Sequence, residues 1–167
     1  MKIKNKKNSQ AGIALVFSII LSMIFLTITM GILNIATKEM NFSSSAKDSN
    51  NSFFAADSGV ECALYNDKSG SIVFTATNTG KINCFGNVLA LTSNLTDTLQ
   101  VFNFNVSGLG SNSNSCAKVT VTKVYDGGTP SNLLSAQIIS KGYNIGDSNC
   151  ASTAINRTER VLEVNYK

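Results

Sequence analysis

GIALVFSIILSMIFLTITMGILNIA, residues Gly12–Ala36, decides how the rest of the chain is read. No charged residue occurs between Lys7 and Lys38. An apolar run of this length exceeds the roughly 20 residues that a helix needs to cross the hydrocarbon core of a bilayer. Lys2, Lys4, Lys6 and Lys7 crowd its N-terminal side, and basic residues flanking a span are held in the cytoplasm. The expected arrangement is a single-pass protein with a cytoplasmic N-terminus and an extracytoplasmic remainder. A secretory signal would carry an apolar core of about 7–15 residues followed by a small-x-small cleavage site. Here the run is longer, no such site follows it, and the first cysteine, Cys62, is too distant for a lipoprotein anchor. The segment is therefore expected to be retained in the membrane.

The charge balance supports this reading. The formal charge is +4, from 14 basic and 10 acidic residues. Four of the basic residues precede Gly12, and every acidic residue lies at Glu39 or beyond. The exported part is neutral, so the basic excess is an orientation signal and not the footprint of a nucleic-acid binder. The chain has no histidine and no tryptophan. Without histidine, the commonest general base and commonest zinc ligand are missing, and Ser–His–Asp or Cys–His catalysis is excluded. No phosphate-binding loop, dinucleotide fingerprint or metal-ligand cluster occurs, so no cofactor, no metal and no enzymatic activity are expected. Gly108-Leu109-Gly110 reads as a turn. Asp126 and Asp147 sit in loops without the spacing of a calcium site.

Within the apolar run, Ala14, Ser18 and Ser22 recur every four residues and place small side chains in one stripe, a candidate contact face between helices in lipid. Thr27, Thr29, Gly31 and Asn34 predict a kink or local loosening at its outer end. Beyond Glu39 a helical period continues. Phe42, Ala46, Phe53, Ala56, Val60 and Leu64 fall on one face, opposite Lys47, Asp48, Asn51, Ser58 and Glu61. One helix of about fifty residues is expected, membrane-embedded over 13–37 and amphipathic over 38–67, ended by the turn residues Asn66–Gly70.

From Ser71 the period changes to two. Ile72, Phe74 and Ala76 predict a first strand, the Thr77–Gly80 segment a turn, and Lys81–Phe85 the returning strand. Leu99–Val106, Cys116–Tyr125, Leu133–Tyr143 and Arg157–Lys167 predict four more strands. The turn Asp126–Pro130 joins the second and third of these, and a polar loop over 144–156 holds Cys150. The connections are too short for helical crossovers, so the sheet should be antiparallel. The expected fold class is α+β, a long N-terminal helix packed on an antiparallel β-rich head over 68–167, preceded by a basic leader over 1–12.

This layout resembles type IV pilin-like proteins, and within them the PilX-like minor pilins. The likeness is carried by Gln10-Ala11-Gly12, by Ile13-Ala14-Leu15-Val16, by the unbroken run into a long helix, and by Phe53-Phe54-Ala55-Ala56-Asp57-Ser58-Gly59-Val60-Glu61. It covers about the first 65 residues; the head is similar only in plan. The resemblance implies that prepilin peptidase cuts between Gly12 and Ile13 and that Ile13 becomes an N-methylated N-terminus. It also implies that the helix packs against other pilin-like subunits after extraction from the bilayer by an inner-membrane assembly platform. The product would be a cell-surface pilus or a periplasmic pseudopilus, as in type II secretion. Most major pilins carry a glutamate at the fifth mature position, which here is Phe17. Its absence is similar to tip or initiating subunits and points to a minor, modulating role. Ile13 in place of the usual phenylalanine is a second departure. The alternative is a signal-anchored extracytoplasmic adhesion or binding domain that is never processed.

Cys62, Cys84, Cys116 and Cys150 all lie on the exported side, without CxxC spacing. An even count there favours two disulfides, with three possible connectivities. A Cys62–Cys84 bridge would tie helix to sheet, and a Cys116–Cys150 bridge would staple the loop-rich end of the head.

Overall fold

A computed structural model describes residues 11–68, 73–75, 80–96, 98–126 and 132–167. The basic leader through Gln10, Ser69 and Gly70 of the turn expected over Asn66–Gly70, Ile72 and Ala76 of the first expected strand, the Thr77–Thr79 part of the next turn and the Gly127–Pro130 part of the hairpin loop lie outside the described residues; Asn66, Asp67 and Lys68 continue the helix instead of turning. The chain forms two compact units, Met1–Ser44 and Ser45–Lys167. One helix, α1 (Ala11–Lys68, 58 residues), contributes to both.

In the first unit α1 carries its apolar residues without protein cover. Ile13, Leu15, Phe17, Phe25, Met30 and Leu33 are each more than 60% exposed, and the segment is long and apolar enough to cross a membrane. The kink or loosening expected around Thr27–Asn34 does not interrupt the helix, which runs continuously from Ala11 to Lys68. The hydroxyls that might have competed for the backbone bond back to it instead. Ser18 Oγ donates to Leu15 O at 2.8 Å, Ser22 Oγ to Ser18 O at 2.7 Å, Thr27 Oγ1 to Ile24 O at 2.8 Å and Thr37 Oγ1 to Leu33 O at 3.1 Å. Internal satisfaction of polar groups is what a hydrocarbon surround demands.

The second unit is the head. Its strands are β1 (Lys81–Cys84), β2 (Asn87–Ala90), β3 (Thr92–Leu95), β4 (Leu99–Leu109), β5 (Ser115–Tyr125), β6 (Leu133–Tyr143) and β7 (Glu159–Tyr166). β1 and β2 form a small hairpin; β3 to β7 form a five-stranded antiparallel meander in sequential order. The long strands alternate as their sequences predict. Phe102, Phe104 and Val106 of β4, Val119 and Val121 of β5, and Ala136 and Ile138 of β6 are buried on one face. That face meets α1, giving the α+β architecture of a long helix packed on an antiparallel sheet.

The first expected hairpin is different. Val73, Phe74 and Thr75 are not in a strand, and β1 pairs with β2 through the turn Phe85–Gly86. Phe74 is instead drawn fully into the core, its ring 5.4 Å from Phe102 and 6.2 Å from Phe104. β2 and β3 escape a period-two reading because neither has a buried face.

The helix face that packs on the head is the expected one in its second half only, where Leu64 also packs against the core. Ala56 and Val60 are buried, but Phe42 and Phe53 are 78% and 44% exposed. The residues against the sheet are small: Ser52, Ala55, Ala56, Gly59 and Ala63. They let the two backbones approach closely at two points. A Cβ on Gly142 of β6 would collide with the Ser52 carbonyl and the Ala56 amide nitrogen and lie 2.8 Å from Ala56 Cα. A Cβ on Gly59 would collide with Ser140 Oγ and lie 2.8 Å from Val119 Cγ2. No aromatic stripe fits such a gap. At the edge of the contact Ser52 Oγ lies 2.9 Å from Thr158 O, and Arg160 Nε donates to Ser49 Oγ at 2.9 Å.

Ser140 sits under Gly59, fully buried, and its hydroxyl has no hydrogen-bond partner among the described residues. An unsatisfied buried hydroxyl costs about 1–3 kcal/mol. Ser140→Ala is therefore expected to raise the thermal midpoint of the full chain in micelles. A fall in the midpoint would show that the hydroxyl has a partner.

Candidate functional site

The residues with a proposed role in processing, Gly12 and Ile13, lie in the first turns of α1, and Phe17 follows one turn later. Ile13 and Phe17 are 70% and 66% exposed, and among the described residues nothing beyond the adjoining helix backbone lies within 4 Å of the position a Cβ on Gly12 would take. Two of the three residues of the small stripe, without Ala14, share one surface feature. Ser18 and Ser22, flanked by Ile19, Met23 and Leu26, line a shallow notch of about 310 Å³. The sequence has no ionisable side chain between Ile13 and Thr37. The surface of this half is apolar and carries no ionisable side chain, and its length and composition suit an anchor or a signal.

At its other end, α1 is fixed to the head by a buried polar cluster that the sequence reading did not anticipate. Asp67, in the last turn, forms an ion pair with Lys123 of β5, and both side chains are only 6% exposed. Tyr166 of β7 donates from Oη to the other Asp67 oxygen at 2.6 Å. Burial, then the bond to Asp67 and its charge, push the Tyr166 phenol well above its usual range. Burial and the same carboxylate raise Tyr125. A carboxylate near a helix C-terminus faces the negative end of the helix dipole, so Asp67 depends on Lys123 for compensation. Lys68 Nζ sits 4.6 Å from the Tyr166 ring centroid and Lys123 Nζ 5.9 Å from that of Phe74. The signal in the sequence was one of phase. Lys123 shares its strand parity with the buried Val119 and Val121, whereas Lys118 has the opposite parity and is exposed.

Two disulfides complete the head. Cys62 joins Cys84, with Cα atoms 5.5 Å apart, and links α1 to β1. Cys116 joins Cys150, with Cα atoms 5.7 Å apart, and links β5 to the loop before β7. That loop is shaped by Asp147, whose Oδ1 accepts from the amides of Ala151 at 2.8 Å and Asn149 at 2.9 Å. These bonds hold its carboxyl below the usual carboxylate range and leave it as a turn residue. Arg157 Nη2 donates to Cys150 O at 2.7 Å while the guanidinium lies 3.8 Å over the Tyr143 ring. The turn expected at Gly108-Leu109-Gly110 begins later: Gly108 and Leu109 belong to the end of β4, where the register with β5 shifts after Val106, and Gly108 and Gly110 have positive φ values of 74° and 79°. Among the described residues no group of three or more His, Cys, Asp or Glu side chains is placed to hold a metal ion.

No family model, curated protein or solved structure matches the chain. What the fold defines is a class of architecture. An uncovered N-terminal apolar helix continues into a helix packed on an antiparallel, disulfide-bonded sheet, and this is a pilin-like arrangement. The apolar helix suggests an anchor or signal, and the disulfides suggest an extracytoplasmic head.

Proposed function

We propose that this chain is a minor subunit, in an initiating, tip or modulating position, of a type IV pilus-like filament or pseudopilus. In this reading it is processed by prepilin peptidase between Gly12 and Ile13. The observation that supports it is the division of labour along α1. One half of the helix is apolar on every side and uncovered, and the other half is built into the head. A helix of this kind can exchange lipid for neighbouring subunits without refolding the head. Removal of the leader would take away Lys2, Lys4, Lys6 and Lys7 and leave the new amine at Ile13 as the only charge before Lys38. An inner-membrane assembly platform could then draw the helix outward. Phe17 cannot neutralise a neighbour's terminal amine as a carboxylate would, which favours a minor role over a bulk one.

Mass spectrometry of the N-terminus tests the reading in cells that contain the peptidase. The expected mature chain begins at methylated Ile13, and Gly12→Ala is expected to abolish its formation while leaving the disulfides intact. An intact Met1 in those cells would sink the proposal. It would favour the alternative, an unprocessed membrane-anchored binding domain.

A further inference from the structure

The head carries a groove of about 610 Å³ beside the Cys62–Cys84 disulfide, lined by Glu61 and Tyr65 of α1 and by Asn83, Phe85 and Gly86 of the β1–β2 hairpin. Two features of it have no explanation in the fold. First, the hairpin turn consists of Phe85 at φ 52° and Gly86 at φ 82°. Two positive φ angles make a type I′ turn, whose first position favours Asn, Asp or Gly. A bulky aromatic residue there is a backbone outlier, and strain of this kind collects at binding sites. Phe85 gains no core packing in exchange, being 60% exposed. Second, Tyr65 is 70% exposed on the same groove, one helical turn from Glu61. Glu61 is exposed and forms no ion pair among the described residues. The disulfide and the Asn66 side chain, which donates to Cys62 O at 2.8 Å and Asn83 O at 2.9 Å, fix the hairpin against the helix. The groove is thus held open by its own framework.

Two aromatic side chains and an unpaired carboxylate around one concavity suit a positively charged organic group. Aromatic faces attract guanidinium and alkylated ammonium groups through the ring quadrupole, and the carboxylate supplies the counter-charge. A neutral sugar would use the aromatic faces but would leave Glu61 without a charge partner. We propose that this groove binds an organic cation, a guanidinium or alkylated ammonium group, seated against Tyr65 and Phe85 with Glu61 as its anion. The site is independent of whether the chain enters a filament.

The test is a titration of the isotope-labelled full chain in nonionic polyoxyethylene micelles, followed by amide chemical shifts. One arm uses tetramethylammonium chloride and the other a short arginine-containing peptide, with sodium chloride and N-acetylglucosamine as controls. Saturable shifts at Tyr65, Phe85 and Gly86, with an apparent Kd on the order of 1 mM, are expected in at least one arm. The arm that saturates at lower concentration tells a free small cation from a protein side chain. Glu61→Gln is expected to weaken binding at least about fivefold. Phe85→Asn is expected to abolish it while raising the unfolding midpoint, because asparagine suits the turn. Saturation by the sugar alone, no saturable shift in either arm, or a Phe85→Asn variant that still binds or unfolds earlier would each overturn the proposal.

Discussion

Gly142→Ala is expected to cost the head about 3 kcal/mol or more, at the upper end of the usual penalty for overpacking. The reason lies in what surrounds the missing side chain. The new Cβ would meet the Ser52 carbonyl and the Ala56 nitrogen, both of them backbone atoms of α1. No rotamer change relieves such a contact. The helix must lift from β6, and with it Ala56, Gly59 and Ala63 leave the sheet. Gly59→Ala provides the contrast. Its new Cβ would meet the Ser140 hydroxyl and a Val119 methyl, both side-chain atoms, and alanine regains up to about 1 kcal/mol of helix propensity. The net loss there should be about 1 kcal/mol, and removal of the Ser140 hydroxyl in the double variant Gly59→Ala/Ser140→Ala should recover most of it. Thermal unfolding of the full chain in micelles, with disulfides oxidised, separates the two sites. The Gly142→Ala midpoint should fall by roughly 10 °C and should not be restored by Ser140→Ala. A Gly142→Ala midpoint within about 2 °C of the parent would show that helix and sheet are not in backbone contact.

These two glycines also mark where the sequence is hard to read. Strands β4 to β6 are legible because each turns one face into the core, and β7 because Leu162, Val164 and Tyr166 are partly buried between exposed residues, so hydrophobicity alternates along them. The same test fails for β3, which is exposed on both faces, and for β2, where only Leu89 is partly buried. Helix α1 is legible as a helix, but its buried face is not, because hydropathy weights large side chains. Phe53 draws attention to the wrong face, while Ser52, Ala56, Gly59 and Ala63 are chosen for the space they leave empty. The Phe53–Glu61 segment was informative through its resemblance to other sequences before its packing role could be understood. At the start of the helix the situation is reversed. Gly12, Ile13 and Phe17 have no structural feature that separates them from their apolar neighbours, and their proposed roles rest on the resemblance. Phe85 shows a third case: nothing in the tripeptide Cys84-Phe85-Gly86 reveals a left-handed aromatic residue until the hairpin register is known.

Lys123→Met is expected to destabilise the head by about 3–5 kcal/mol, the usual cost of leaving one partner of a buried ion pair alone. Among the described residues Asp67 would then keep only the Tyr166 hydroxyl, at a helix C-terminus where the backbone dipole already opposes its charge. The loss should come from the orphaned charge and not from the missing ammonium, so Asp67→Asn/Lys123→Met should recover more than half of it. If the double variant loses as much as the sum of the two single ones, the pair is not coupled and this account fails. Tyr166 provides an independent check through pH. Its folded pKa is raised above the ordinary value by burial and by the bond to Asp67. The neutral phenol's contribution is therefore fully present below pH ~10 and is lost as the pH rises from there through the folded value. Tyr166→Phe removes a hydrogen bond to a charged acceptor, costing about 1.5–3 kcal/mol near neutrality, and should flatten the decline in stability above pH ~10. Urea midpoints of parent and variant between pH 7 and pH 11 measure both effects. Parallel curves across that range would show that the phenol is not protected by the fold, and that Asp67 is held by Lys123 alone.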